Sequence, residues 1–101
     1  PLALREDRDL FLRNVGNKTP ASDGRISTLG ALYVIPGRDI WRLLTIPVAE
    51  SFEVTIDEQN LGRQIDGISV ENNPVPFRRD GECVTFTVEA KDALWYTLTL
   101  K

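Results

Sequence analysis

The sequence contains no histidine, and this absence excludes a wide range of chemistry. Histidine is the usual general base at neutral pH, the commonest zinc ligand and the base in serine and cysteine hydrolases. The only cysteine, Cys83, cannot form an internal disulfide and has no histidine to activate it. We therefore expect a structural or merely exposed thiol, and no nucleophilic or zinc-dependent active site.

Three other signals are also missing. Twelve lysine and arginine residues against fifteen aspartate and glutamate residues give a net charge of -3, which argues against binding to nucleic acid. No apolar run reaches the roughly eighteen residues of a membrane-spanning helix. The glycines are isolated and match neither the dinucleotide nor the P-loop spacing. The sequence predicts no nucleic-acid partner, no membrane span and no cofactor.

Carboxylates alone can hydrolyse glycosidic bonds when two of them flank the scissile bond. Nearly all the acidic residues here fall in predicted turns or at outward strand positions, where they act as solubilising charge. The run Asp57-Glu58-Gln59-Asn60 could contribute calcium ligands, but it lacks the alternating spacing and the glycine of a calcium loop. We therefore predict a chain that is not an enzyme and holds no metal, with a carboxylate-only hydrolase as the weakest alternative.

The chain does contain clear alternation of apolar and polar residues at a period of two. Its 101 residues, 42% hydrophobic and 27% charged, fit one domain, 1–101, with a packed core. Alternation is typical of antiparallel strands that have one face in the core and one in water. The predicted inward residues of three such strands are Phe52, Val54 and Ile56, then Val84, Phe86 and Val88, then Leu94, Tyr96, Leu98 and Leu100.

Turn residues separate these strands, because asparagine, aspartate and glycine adopt positive φ at low cost. The predicted turns are Asp66-Gly67, Asn72-Asn73-Pro74, Asp80-Gly81 and Ala90-Lys91-Asp92. Their spacing predicts a meander of three strands at 68–71, 75–79 and 82–89. The last strand, 94–101, is expected to pair with one of these or with the N-terminal part. The adjacent Arg78 and Arg79 are expected at a solvated hairpin end.

The first half of the chain gives weaker signals. In segments 25–35 and 40–46, apolar residues occupy both odd and even positions, so we interpret these segments as buried strands. Segment 2–15 fits a strand or a helical turn, and 14–24 is the longest predicted loop. About seven short strands joined by turns predict an all-β domain, an antiparallel β-sandwich of immunoglobulin-like or related topology.

Aromatic residues are the best candidates for contact with a ligand or a partner. In the alternation of the last strand, Trp95 falls on the face opposite Tyr96 and is therefore expected outside the core. A neighbouring domain could cover it, or a sugar ring could stack on it. Trp41 is the second candidate, but its apolar surroundings favour a place in the core.

In the second half of the chain, the succession of strands and turns is similar to that of a known class of domain. The segments VTID, ISVENNPVPF, RDGECVTFTV and WYTLTLK, between residues 52 and 101, resemble the accessory C-terminal β-sandwich domains of bacterial glycoside hydrolases. The resemblance implies an auxiliary module beside a catalytic domain. It contains no diagnostic motif, so it transfers no functional residue.

These observations predict a non-catalytic structural or protein-interaction module, such as an accessory domain of a carbohydrate-active or surface protein. The alternative is a carbohydrate-binding domain that uses exposed aromatic residues. The triplet Asn17-Lys18-Thr19 matches the glycosylation sequon, which would fit a secreted or cell-surface loop but also arises by chance.

Overall fold

The structure, a computed structural model, describes residues 9–14 and 18–101. In this part of the chain there are eleven strands and one short helix, α1 (Glu58–Leu61). The strands are β1 (Leu10–Arg13), β2 (Ala21–Ser22), β3 (Ile26–Thr28), β4 (Ala31–Ile35), β5 (Ile40–Thr45), β6 (Ser51–Asp57), β7 (Ile65–Val70), β8 (Asn73–Pro74), β9 (Arg78–Asp80), β10 (Cys83–Glu89) and β11 (Trp95–Leu100). No helix in the described ranges is long and apolar enough to cross a membrane.

The strands form two antiparallel sheets packed face to face. One sheet has the order β1-β4-β5-β11-β7-β8, and the other has the order β2-β3-β6-β10-β9. The last strand, β11, lies between β5 and β7, and β10 lies between β6 and β9. The predicted antiparallel β-sandwich is confirmed, whereas its immunoglobulin-like topology stays a prediction.

The inward residues that alternation predicts lie in or against the core between the sheets. Val54 and Phe86 lie opposite each other in the seven-residue pairing of β6 with β10, and both are almost fully buried. Tyr96 and Leu98 of β11 are buried in the same core. Leu94, which precedes β11, is half-buried and packs against the edge of that core.

The sandwich has eleven strands in its described part rather than about seven. The predicted strand 25–35 is in fact two strands, β3 and β4, which belong to different sheets. The chain turns between them at Gly30, where an added Cβ would lie 2.2 Å from Cδ2 of Phe52. Two-residue strands such as β2, inside the predicted loop 14–24, are too short to show alternation.

Two other expectations for the first half have mixed outcomes. In segment 2–15, residues 10–13 form strand β1, which pairs with β4. The rest of that segment, apart from Asp9 and Asn14, lies outside the described residues, as does Asn17 of the sequon.

The predicted meander over 68–89 is wrong, because its strands belong to different sheets. Strands β7 and β8 pair in the six-stranded sheet, while β9 and β10 pair in the other. The chain crosses from one sheet to the other through residues 75–77. The expected pairing of the last strand is confirmed: β11 pairs with β7 and also with β5.

The predicted turns differ in outcome. The turn predicted at Asn72-Asn73-Pro74 begins one residue earlier, because Asn73 and Pro74 form β8. Glu71 and Asn72 connect β7 to β8 with positive φ values of 49° and 66°, as a two-residue type I′ hairpin requires. Gly81 has a φ of 62° at the first central position of the β9–β10 hairpin. The predicted turn at Asp66-Gly67 is wrong, because both residues lie inside β7. Pairing of Gly67 with Thr99 keeps this part of the chain extended.

Helix α1 was not expected from the sequence, and it uses the residues considered as calcium ligands. The Asp57 carboxylate accepts hydrogen bonds from the backbone N–H groups of Gln59 and Asn60, which caps the helix N-terminus. The helix ends at Gly62, which adopts the left-handed conformation with a φ of 81°. Within the described ranges, no group of three or more acidic or cysteine side chains is placed to hold a metal ion.

The helix also carries a buried carboxylate, Glu58, which binds Arg79. The guanidinium Nε and Nη2 atoms lie 3.0 and 2.9 Å from the two carboxylate oxygens, and the Ile65 N–H lies 2.7 Å from Oε2. The expectation that Arg78 and Arg79 form a merely solvated hairpin end is therefore wrong for Arg79. This arginine lies beside an anion that short-range sequence patterns do not place near it.

Candidate binding face

The outer faces of the two sheets differ in chemistry. On the five-stranded sheet, Ser27, Thr55, Thr85 and Arg78 lie in register across four strands. The hydroxyl groups of Thr55 and Thr85 are 3.2 Å apart and share a hydrogen bond. This outer face is polar, as expected for a sheet that faces water.

The outer face of the six-stranded sheet instead carries an apolar and aromatic row. Phe11 of β1 lies opposite Tyr33 of β4, Tyr33 opposite Leu44 of β5, and Leu44 opposite Trp95 of β11. We call these four residues the aromatic row. Since neighbouring strands are about 4.8 Å apart, the row extends for about 14 Å across the sheet.

The two ends of the aromatic row are its most accessible parts. The side chain of Phe11 is 58% exposed and that of Trp95 is 37% exposed, while Tyr33 and Leu44 between them are half-buried. Ile40, on the same face of β5 as Leu44, is also about half exposed. Large apolar side chains grouped on one sheet face are typical of a surface that another molecule covers.

Polar groups contact two members of the row. The Arg42 guanidinium lies 4.4 Å from the centre of the Trp95 ring, within the range of a cation–π interaction. The hydroxyl of Tyr33, which is next to Phe11 in the row, donates a hydrogen bond to the Asp9 carboxylate. This hydrogen bond, together with burial, raises the pKa of Tyr33, so its hydroxyl stays protonated at neutral pH. These contacts restrain the side chains of Trp95 and Tyr33 before any partner binds.

A shallow cleft of about 330 Å³ lies beside Trp95. Polar side chains of β7, β11 and the β7–β8 turn line it, namely Ser69, Glu71, Asn72 and Thr97. Glu71 and Asn72, the two residues of this turn, line the same cleft as Trp95. An aromatic ring with amide, hydroxyl and carboxylate groups beside it is an arrangement suited to sugar stacking and hydrogen bonding.

Comparison with known proteins adds no relative. No family model, curated protein or solved structure matches the chain. The functional argument therefore depends on the residues themselves.

The structure separates the two tryptophans that the sequence proposes as contact residues. Trp95 lies on the outer face, as alternation predicts, but Trp41 is only 3% exposed and faces the core opposite Leu98. The Arg25 guanidinium lies over the Trp41 ring, 4.7 Å from its centre. Trp95 therefore remains a candidate for contact, and Trp41 serves the core.

Three members of the aromatic row were not singled out from the sequence. The alternation of residues 10–13 already places Phe11 on the face opposite Leu12, so a signal for Phe11 exists. Tyr33 and Leu44 lie in segments where apolar residues occupy both odd and even positions. No local pattern therefore shows whether their side chains point to the core or to the outer face. Only strand pairing brings these residues into line with Trp95.

The buried carboxylate Glu58 does not behave as a catalytic acid. The hydrogen bonds from Arg79 lower its pKa, the bond from the Ile65 N–H lowers it further, and desolvation opposes them only in part. A general acid in glycoside hydrolysis needs a raised pKa. Glu58 therefore stays ionised at neutral pH and acts as a structural anchor between α1, β7 and β9.

Proposed function

We propose that this chain is a non-catalytic interaction module that docks on a folded protein domain through the aromatic row. The observation that carries this proposal is the alignment of Phe11, Tyr33, Leu44 and Trp95 across four strands of one sheet. The docked domain belongs to the same polypeptide or to another chain. The sandwich supplies a rigid support, and the row supplies the contact.

The composition of the row favours a protein surface over a sugar as its ligand. Burial of apolar area contributes about 25 cal/mol per Å², and tryptophan, tyrosine and arginine are the commonest anchors of protein interfaces. Two residues of the row, Phe11 and Leu44, have purely apolar side chains, which cannot form a hydrogen bond with a sugar. Arg42, stacked on Trp95, adds a planar cation of the kind that interfaces enrich.

Carbohydrate binding is the second candidate, and the polar cleft beside Trp95 favours it. Asn72 and Glu71 offer hydrogen-bonding groups within reach of a ring stacked on the indole. In this case the ligand would occupy only the Trp95 end of the row, and Phe11 at the other end would have no part in binding.

Matched alanine variants test the proposal. Phe11→Ala, Trp95→Ala and the double variant are compared with Thr55→Ala, which truncates an outward residue of the polar sheet. Sedimentation equilibrium of the chain measures association between copies. Acrylamide quenching of Trp95 fluorescence, with Trp41→Phe as the background, compares the isolated chain with the full product of its gene. We expect Trp95 to be shielded in the assembled form, and both row variants to weaken that assembly while Thr55→Ala does not.

The same variants distinguish the alternatives. Retention on polysaccharide affinity gels that depends on Trp95 and Asn72 but not on Phe11 would establish the carbohydrate candidate and overturn the proposed one. Trp95 that is equally quenched in every form, with no association at millimolar concentration, would also contradict docking through the row.

A further inference from the structure

A second and larger cleft, of about 540 Å³, lies at the opposite side of the sandwich from Phe11, where β8 ends and β9 begins. Its walls are mainly apolar and include Val75 and Phe77 from the crossing segment and Phe86 and Tyr96 from the core. Its size lies within the range of ligand-binding clefts. One side of this cleft is formed by β10 residues that follow its pairing with β9, among them Phe86, Thr87 and Glu89.

Strand β10 has one open backbone position in this cleft, at Thr87. In a strand, the N–H and C=O groups of alternate residues point to the same side. The N–H of Ala90, just after β10, bonds to the carbonyl of Glu50, just before β6. The even-numbered residues of β10 therefore direct their backbone groups toward β6. The odd-numbered residues point the other way: Cys83 and Thr85 pair with β9, and Glu89 N–H bonds to the Tyr96 hydroxyl at 2.8 Å. Thr87 lies between them and pairs with no strand on that side.

Proline explains why the pairing stops before Thr87. Continuing the β9–β10 register by two residues would place Pro76 opposite Thr87. Proline has no N–H group to donate, so it cannot complete the hydrogen-bonded pair. The preceding residue, Val75, instead donates its N–H to Ile68 of the other sheet at 2.8 Å. The N–H and C=O of Thr87 are therefore left facing the cleft.

We infer that this cleft binds an extended peptide segment of a partner protein by strand addition to β10. The segment exchanges two backbone hydrogen bonds with Thr87, as a residue of an antiparallel strand does. Its neighbouring residues, opposite Phe86 and Val88, direct their side chains toward the apolar walls between the sheets. An apolar side chain at one or both of these positions fills the cleft.

Charge adds a second requirement on the segment. Arg78 at one end of the cleft already forms an ion pair with Glu53, at 3.2 Å. Glu89 at the other end is exposed and has no ion pair among the described residues. The cleft thus presents one uncompensated negative charge, which favours a basic side chain opposite Glu89. In an antiparallel segment this basic residue comes two positions before the residue that pairs with Thr87.

A short peptide with this pattern, acetyl-Lys-Val-Thr-Val-amide, tests the inference on the ¹⁵N-labelled full chain. We expect titration to shift the Thr87 amide signal and to slow its exchange with deuterated water. Methylating the backbone nitrogen of the peptide threonine removes its donor and is expected to weaken binding about tenfold. Thr87→Pro removes the protein donor at an edge position that tolerates proline and should have a similar effect.

The charge requirement has its own matched pair of variants. Glu89→Gln is expected to weaken binding about threefold, and the loss should shrink at high salt. Glu82→Gln makes the same change in the turn before β10, away from the cleft, and should leave binding unchanged. Binding of the methylated peptide as tight as that of its parent, or no shift of the Thr87 amide at millimolar peptide, would refute strand addition. Neither result would bear on the aromatic row, which lies on other strands.

Discussion

Side-chain direction within a strand determines how much each residue contributes to stability. In β10, Phe86 is 2% exposed and packs near Tyr96 with their ring centres 6.3 Å apart, while its neighbour Thr85 points out to the polar face. The two residues are adjacent in sequence but have different environments. Their comparison tests the alternation that predicts the core.

We expect Phe86→Ala to lower the free energy of unfolding by about 3–5 kcal/mol, because it removes a buried aromatic side chain and leaves a cavity. Thr85→Ala should cost far less, about 0.5–1.5 kcal/mol, since it removes one shared hydroxyl contact with Thr55. Urea unfolding followed by circular dichroism measures both. Equal losses for the two variants would contradict the assigned strand faces.

Gly30, between β3 and β4, has no side chain, and this allows the backbone to pass close to the ring of Phe52. An added Cβ at Gly30 would overlap the Phe52 ring, whose Cδ2, Cγ and Cε2 atoms would lie 2.2 to 2.5 Å away. We expect Gly30→Ala to destabilise the fold by about 1–3 kcal/mol, the usual cost of overpacking. Gly67→Ala is the control, because nothing lies within 4 Å of its added Cβ. Chemical unfolding of both variants would show whether the contact with Phe52 is responsible.

At the scale of elements, Glu58 and Arg79 join three parts of the chain. Arg79 of β9 binds the carboxylate of α1 and also donates to the Ile65 carbonyl of β7 at 3.1 Å. One ion pair therefore connects the helix to a strand from each sheet. The pair is buried at the Glu58 side and half exposed at the Arg79 side.

This pair predicts a specific dependence of stability on pH. Because the folded-state pKa of Glu58 lies below its ordinary value of 4.5, the unfolded chain binds a proton first as the pH falls. The stabilising contribution is complete above that ordinary value and is lost as the pH falls through the folded-state pKa. We expect Glu58→Gln to lower stability at pH 7 by about 1.5–3 kcal/mol, the usual contribution of a hydrogen bond to a charged group.

Urea midpoints between pH 7 and pH 3 measure this effect. The wild-type chain and Glu58→Gln should become more alike as the pH falls, because the wild-type carboxylate is then neutral. Glu82→Gln, at an exposed position, should keep the wild-type pH dependence. A constant difference between wild type and Glu58→Gln across this range would show that Glu58 stabilises the fold by packing rather than by charge.

At the scale of the whole molecule, the last strand completes a sheet that earlier strands cannot form alone. Strand β11 lies between β5 and β7 and forms hydrogen bonds with both. Residues 40–45 and 65–70 therefore belong to one continuous sheet through this C-terminal strand. Pairing of strands distant in sequence requires the closure of long loops, and such folds form slowly, in milliseconds to seconds. We therefore expect the C-terminal strand to be essential to the fold.

We expect a chain that ends at Asp92 to be unfolded, because it lacks β11 and the buried residues Tyr96 and Leu98. Far-ultraviolet circular dichroism and one-dimensional proton spectra would show the loss of strand and of dispersed signals. Addition of a synthetic peptide covering residues 93–101 should restore both, since it supplies the missing central strand. A truncated chain with the wild-type spectrum would contradict this essential role.

The class of the fold and the direction of many side chains follow from local sequence patterns alone. Alternation in β6, β10 and β11 placed Phe52, Phe86 and Tyr96 in the core and Trp95 outside it, because a strand exposes successive residues to opposite faces. Hairpin residues at Asn72 and Gly81 also marked their turns, since positive φ is a local property. These features depend on short stretches of chain.

Which strands are neighbours depends on contacts between distant parts of the chain. Local patterns do not report pairing between distant segments, so they placed 68–89 in one meander, whereas the chain crosses between the sheets at 75–77. The same limitation hid the contact of Arg79 with Glu58, the open edge at Thr87 and the alignment of Phe11 with Trp95. Each of these depends on inter-strand register, which is set by the packing of both sheets around a shared core.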